Sequence, residues 1–267
     1  MKARKIVVIC PFSRPEFQQN VFDNFTQQTF HGKELVIVEN GESVGKWKLP
    51  ATQILNSNKH QASAKNTGLL YVGEKFPDAL WTTFDDDDYY GPGYLEELAE
   101  NSDKADVIGK ANIFMKSKSG KLRFIDICRE NEYSNYLWGC SISSWVKDIN
   151  FPYTGVWGED NTWLDIAESK GLKIYATSRY NAYINRCHER NTWRTTDQNI
   201  VNTSNKVVEY EFDIDVINNK KQAQGKELQR SNAFDFSHVE EQFNLSDFEK
   251  FIDGHIEGEL WQRSHHQ

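Results

Sequence analysis

The chain is 267 residues long, enough for one large domain or for one domain with an appendage. Aromatic residues at 13% and charged residues at 26%, without a long low-complexity tract, exclude a disordered chain, and a formal net charge of −8 argues against a general nucleic-acid-binding surface. No apolar run approaches the roughly 20 residues of a membrane-spanning helix, and the opening "MKARKIVVICPF" is broken too early by Pro11 to read as a signal peptide.

In chain order, "KIVVIC" (5–10) and "ELVIVE" (34–39) are β-branched runs of the kind buried on both faces of a parallel sheet. Between them Phe17, Val21, Phe22 and Phe25 recur at helical spacing, which makes a β-α-β unit. A second unit follows, with "ASAKNTGLLYVG" as helix and "DALWTTF" as strand, leading into "DDDD" and the turn "GPG". "YLEELAENS" resumes a helix, and "DVIGKANIFMKSKSGKLRFIDI" reads as two strands around a "KSGK" hairpin turn. "EDNTWLDIAESKG" is a short helix with carboxylates at its positive end and a glycine stop, followed by "LKIYATS" and "NAYINRCH" as strands. Residues 1–200 are expected to form the main domain. Residues 201–267 are expected to be an extension, polar at first and then helical, where Ser237 with Glu240 and Ser246 with Glu249 form capping boxes. It is expected to pack on the main domain or on a partner. Cys10, Cys128, Cys140 and Cys187 form no C-x-x-C pair, so reduced thiols in a cytoplasmic protein are expected.

Ligands of open α/β sheets bind beyond the carboxyl ends of parallel strands, and three polar clusters fall there: Pro11 to Arg14, Glu39 to Ser43, and Asp85 to Asp88. Adjacent carboxylates repel unless a cation or solvent neutralises them. An extended D-x-D pair projects both side chains to one side, a geometry suited to Mg2+ or Mn2+, and pairs Asp85 with Asp87 and Asp86 with Asp88. A solvated acidic turn is the plain alternative. An EF-hand frame through Asp86, Asp88, Gly91 and Glu97 is weakened by Tyr90 and Gly93 at its fifth and eighth positions.

Two further clusters carry candidate chemistry. In "GVWGEDNTW", Glu159 and Asp160 either cap a helix or supply a general base, and Trp157 and Trp163 either stack on a sugar ring or fill the core. In "RCHERNTW", His188 can complete a metal shell, and Arg186, Arg190 and Arg194 can neutralise phosphate, although a lone histidine is more often structural.

Six blocks in order resemble the family 2 glycosyltransferases of GT-A fold: "VVICPFSRPE", "QQTFHGKELVIVENGES", "ASAKNTGLL", "WTTFDDDDYYGPGYLEEL", "GVWGEDNTWLDIAESKGLKIY" and "INRCHERNTW". The resemblance implies an α/β GT-A fold, a mostly parallel nucleotide-binding sheet flanked by helices, with a small helical C-terminal appendage. It implies a metal-dependent inverting transfer of a hexosyl or pentosyl group from a nucleotide-sugar, a UDP-sugar in the first place, to an acceptor hydroxyl of a glycan. Pro11, Arg14, Glu39, Lys65, Asn66, Asp85 and Asp86 would lie on the donor side, with Asp86 pointing away from the cation. Asp87 would ligate Mn2+ or Mg2+ with His188, and Asp88 is the alternative ligand. Asp160 would be the base with Glu159 beside the acceptor, and Trp157 and Gly158 would lie on the acceptor side. The region 105–155, with Tyr133, Tyr136, Trp138 and Trp145, is expected either to shape the acceptor side or to fill the core. The chain departs from the family's D-D-G-S with "ENGES" and from its arginine with Lys65. A modified nucleic-acid base as acceptor is disfavoured by the net charge. A nucleotidyltransferase would need an early glycine-rich loop that "ICPFSRPEF" lacks, and a non-catalytic carbohydrate- or metal-binding module is the alternative of another class.

Overall fold

The structure is a computed structural model that describes residues 2–41, 43, 45, 47, 50–110, 112–116, 122–126, 141–153, 158–177, 183–186, 206–210 and 226–227. Strand β1 (Ile6–Phe12) is buried at every position. Its side chains alternate between two cores, with Ile6, Val8, Cys10 and Phe12 in one and Val7 and Ile9 in the other. That is why its sequence is a continuous apolar run. A 3-10 turn (Pro15–Phe17) leads into α1 (Gln18–Thr26), and β2 (Lys33–Asn40) returns parallel to β1.

Strand β3 (Thr52–Asn56) then adds parallel to β2 at the sheet edge. It was not expected, because an edge strand buried on one side only carries polar Thr52, Gln53 and Asn56. Helix α2 (Gln61–Lys75) begins where the His60 imidazole accepts the Ala62 N–H at 3.2 Å. It lies so close to β1 that a Cβ on Gly68 would collide with Ile9 Cγ2, so only glycine fits. Strand β4 (Leu80–Thr83) pairs parallel with β1 on the side away from β2. Short β5 (Tyr89–Tyr90) and α3 (Tyr94–Asn101) follow. A strand at Tyr89–Tyr90 is incompatible with the EF-hand frame.

The next segment divides between two sheets. Strand β6 (Val107–Lys110) joins the main sheet, while β7 (Asn112–Lys116) and β8 (Leu122–Asp126) form the expected antiparallel hairpin, with Asn112 opposite Asp126. The two-residue β9 (Ser143–Ser144) runs antiparallel between β4 and β6. It has no apolar signature. Its buried hydroxyls are satisfied instead, Ser143 donating to Thr82 Oγ1 at 2.9 Å and Ser144 to the Asp106 carbonyl at 2.7 Å. Helix α4 (Glu159–Ser169) is followed by β10 (Ile174–Thr177), parallel to β6, and by β11 (Tyr183–Arg186).

The main sheet has seven strands in the order β10-β6-β9-β4-β1-β2-β3. Within residues 201–267, β12 (Lys206–Tyr210) pairs antiparallel with β8, and β13 (Lys226–Glu227) pairs with β12. These strands extend a second sheet of order β13-β12-β8-β7-β11-β5. The expected capping boxes at Ser237 and Ser246 lie outside the described residues. Among the described residues no helix is long and apolar enough to cross a membrane.

Candidate active site

The carboxyl ends of β1, β2 and β4 converge on one edge of the main sheet, and the acidic run occupies the end of β4. After Thr83 the chain turns at Asp86 and Asp87 and re-enters a strand at Tyr89. The turn is braced from three sides. The Phe84 ring stacks on Tyr90 with centroids 3.8 Å apart, and the Asp85 N–H donates to the Tyr90 hydroxyl at 2.8 Å. From α1, the Asn20 side chain donates to the carbonyls of Asp86 and Asp88, both at 2.7 Å, and Asn24 donates to that of Asp88 at 2.8 Å. Gln28 binds the carbonyls of Tyr90 and Gly91 at 3.0 and 2.9 Å. Sequence reasoning missed these residues. Their signal was a row of carboxamides four residues apart, Asn20 and Asn24 on α1 and Gln28 just beyond its end.

Because the segment turns and is not extended, the expected alternation of side chains does not hold. Arg14 binds Asp86 through Nη2 and, at 3.2 Å, through Nε, while its Nη1 reaches Asp87 Oδ2 at 2.9 Å. Asp86 therefore does not point away; it shares one guanidinium with Asp87. Burial would lower the Arg14 pKa, but Asp86 and Asp87 outweigh it and hold the guanidinium firmly charged. Burial outweighs Arg14 at Asp86, whose carboxyl is raised above its ordinary range. Asp88 is buried as well, and its carbonyl is held by α1.

Asp85 faces the other way, accepting from Gln61 Nε2 at 3.2 Å. Burial raises its pKa, Lys65 lowers it, and Asp160, Asp87 and Asp86 raise it again, leaving the group at about 7. Beyond it lies a second carboxylate cluster at the start of α4. Gly158, in the left-handed region at φ 92°, turns the chain into the helix, a conformation other residues rarely adopt. Glu159 and Asp160 occupy the first turn, where the helix dipole favours negative charge. Lys65 Nζ lies 2.6 Å from Asp160 Oδ1 and 3.2 Å from Glu159 Oε1. Burial raises the Asp160 pKa and prevails over the attraction of Lys65. At Glu159 burial acts in the same sense, but Lys65 wins and the carboxyl is lowered. The arrangement thus gives the two neighbouring carboxylates different proton affinities.

At the end of β2, buried Glu39 accepts from the Trp47 indole at 3.4 Å, and the Trp47 ring meets Phe12 edge-on at 4.6 Å. Trp47, an aromatic wall beside this carboxylate, was not anticipated. Pro11 lies in β1 beyond its last pair with β4, Ile9 with Thr83, where a missing N–H costs no ladder bond on that side. Asn66, expected beside the donor, instead exchanges two hydrogen bonds with the Phe151 backbone. Lys65, also expected there, has a wholly buried side chain. Trp163 is not a sugar platform: it is fully buried against Trp81 and Phe151, its indole bonded to the Ile149 carbonyl at 2.9 Å. Trp145 donates to the Ser102 carbonyl and packs on the core. Trp138, Trp157, His188, Tyr133, Tyr136, Arg190 and Arg194, and the Arg186 side chain, lie outside the described residues.

Among the described residues no three His, Cys, Asp or Glu side chains are grouped to hold a metal ion by themselves. The acidic turn nevertheless offers hard carboxylate oxygens from Asp86 and Asp87, both paired with Arg14. That donor set fits a Mg2+ or Mn2+ ion that takes its remaining ligands from a diphosphate and water.

No family model matches the chain, and no curated protein matches it. Solved structures do. The match to S. aureus TarS 1-349 has 18% identity and a TM-score of 0.51, covering 68% of this chain and 60% of that one. The same fragment in complex with UDP gives 16% identity, a TM-score of 0.53 and the same coverage. The mannosyltransferase PcManGT from Pyrobaculum calidifontis, in complex with GDP-Man and Mn2+, gives 14% identity and a TM-score of 0.52 over 72% of this chain and 59% of that one. The fold is GT-A. The seven-stranded sheet is parallel except for β9, and the acidic turn after β4 lies at its carboxyl edge, where open α/β sheets receive ligands.

Proposed function

We propose that the chain is a glycosyltransferase that moves a sugar from a nucleoside diphosphate to an acceptor hydroxyl with inversion at the anomeric carbon. The observation that carries this reading is the nearness of two carboxylate sites around Lys65: Asp160 and Glu159, which it binds, and Asp85, which feels its charge and belongs to the same turn as Asp86 and Asp87. Leaving-group and base chemistry need such neighbouring sites. The GT-A neighbours with UDP or with GDP-Man and Mn2+ support the class of donor.

In this reading Asp160 accepts the proton of the attacking hydroxyl. Its Oδ1 is tied to Lys65, and the second carboxylate oxygen takes the proton. As the new C–O bond forms, the bond to the diphosphate breaks and its electron pair leaves with the nucleotide. Arg14, at the acidic turn, lies where it can transfer its hydrogen bonds to the diphosphate, and Glu39 with Trp47 borders the base. Asp87, with Asp86 or Asp88, would hold a Mg2+ or Mn2+ ion, which when bound supplies positive charge to the departing diphosphate. A UDP-sugar is the first donor to try and a glycan the first acceptor. Residues 1–200 would carry the reaction, with residues 201–267 attached through β12.

Release of nucleoside diphosphate from UDP- and GDP-sugars, assayed with Mn2+ or Mg2+, tests the reading. Asp160→Asn should abolish release and leave donor binding in place. A pure binding module would release none in either form.

A further inference from the structure

Lys65 sits within α2 with no side-chain exposure. Burying an ammonium costs several kcal/mol unless it is closely paired, and an apolar residue would pack such a position at no electrostatic cost. Lys65 is nevertheless met by carboxylates from two other segments: Asp160 at 2.6 Å and Glu159 at 3.2 Å from α4, and Asp85 from the acidic turn, near enough to feel its charge. The Phe151 ring closes the site 5.1 Å away. An ammonium directs three N–H donors outward from one point, whereas a guanidinium is a planar fork. The compact group suits carboxylates arriving from different directions, which gives a physical reason for lysine here.

We propose that Lys65 is the positioning residue of the transfer, fixing the Asp160 carboxylate toward the acceptor. This rests on the reading of Asp160 as the base. Lys65 acts through Asp160 and touches neither sugar nor nucleotide. The charged and titratable groups facing Asp160 are Lys65 from α2, Glu159 from its own helix and Asp85 from the turn, while His60 at the start of α2 acts on Glu159. Lys65 is the cation that opposes the effect of burial on Asp160, so its removal makes the carboxylate bind its proton more tightly.

The test compares wild type, Lys65→Met and Lys65→Arg, with folding checked by circular dichroism. Hydrolysis of UDP-glucose and GDP-mannose with Mn2+, in which water replaces the acceptor, is followed across pH. Lys65→Met should lower kcat about a hundredfold with donor KM nearly unchanged, and should move the acid limb of the profile up by about one pH unit. Lys65→Arg should return the acid limb while kcat stays low, because charge is restored without the geometry. An unchanged acid limb in folded Lys65→Met overturns the proposal. The Asp160 carboxyl titration, followed by 13C NMR without metal or donor, gives a readout independent of turnover. Its midpoint should rise in Lys65→Met, and an equal midpoint overturns the proposal whatever the turnover. Wild type that hydrolyses no donor would count against the glycosyltransferase reading, while the titration would still decide the link between Lys65 and Asp160.

Discussion

Asn66 and Phe151 exchange two hydrogen bonds, the Asn66 side chain donating to the Phe151 carbonyl at 2.9 Å and accepting its N–H at 2.7 Å. The pair pins the segment before α4 to α2, and the ring it fixes lies beside Lys65 Nζ. Asn66→Ala leaves both backbone groups without this partner and should cost about 2 kcal/mol. Urea denaturation measures the loss, and Asn66→Asp, which keeps the acceptor oxygen, should recover part of it.

Arg14 is the internal cation of the acidic turn. Arg14→Gln leaves Asp86 and Asp87 facing each other and should lower stability by about 2 kcal/mol in EDTA. Millimolar Mn2+ should then raise the melting temperature more in the variant than in wild type, since the Arg14 guanidinium no longer competes for the carboxylates. An equal rise in both would separate Arg14 from the cation site.

Asp85 sets a pH dependence. Its carboxyl stands at about 7 in the folded chain against an ordinary 3.8, so the folded state keeps a proton that the unfolded state has released. Its contribution is present below the unfolded value and is lost as pH rises toward 7. Asp85→Asn mimics the protonated group and still accepts from Gln61, so it should match wild type near pH 4 and exceed it near pH 8. A gain on the order of 2 kcal/mol is expected, read from metal-free urea curves at the two pH values.

Glu97 and Lys110 form a buried ion pair at 2.6 Å. Lys110→Met takes this ammonium away from the buried carboxylate and should cost about 3 to 5 kcal/mol, while the double variant Glu97→Leu with Lys110→Met should recover most of that loss. Thermal denaturation of the single and double variants measures both effects.

The strands buried on both faces were legible because burial writes a continuous apolar run, as in β1 and β2. Strand β3 was hidden by its half-exposed polar pattern, and β9 by serines whose burial is satisfied by hydroxyl bonds that no periodicity reveals. The acidic run and the Glu159–Asp160 pair could be placed at a strand end and a helix start. What joins them could not, since Arg14 meets Asp86 across 72 positions and Lys65 meets Asp160 across 95. Such long-range pairing depends on how α2 and the turn after β4 lie over the sheet. Asn66 shows the same gap: its residue type suited a polar site, while its partner is backbone from a distant segment.

The acidic turn is clamped at both ends by strand pairing. Thr83 is the last residue of β4 held against β1, and Tyr89 is already paired with Ile184 of β11, so residues 84–88 span a gap of set length between two sheets. The aspartates are thus ranked by distance from fixed endpoints and not by their identical chemistry. Inserting or deleting one residue would hand each carboxylate its neighbour's task while leaving the composition of the run almost unchanged.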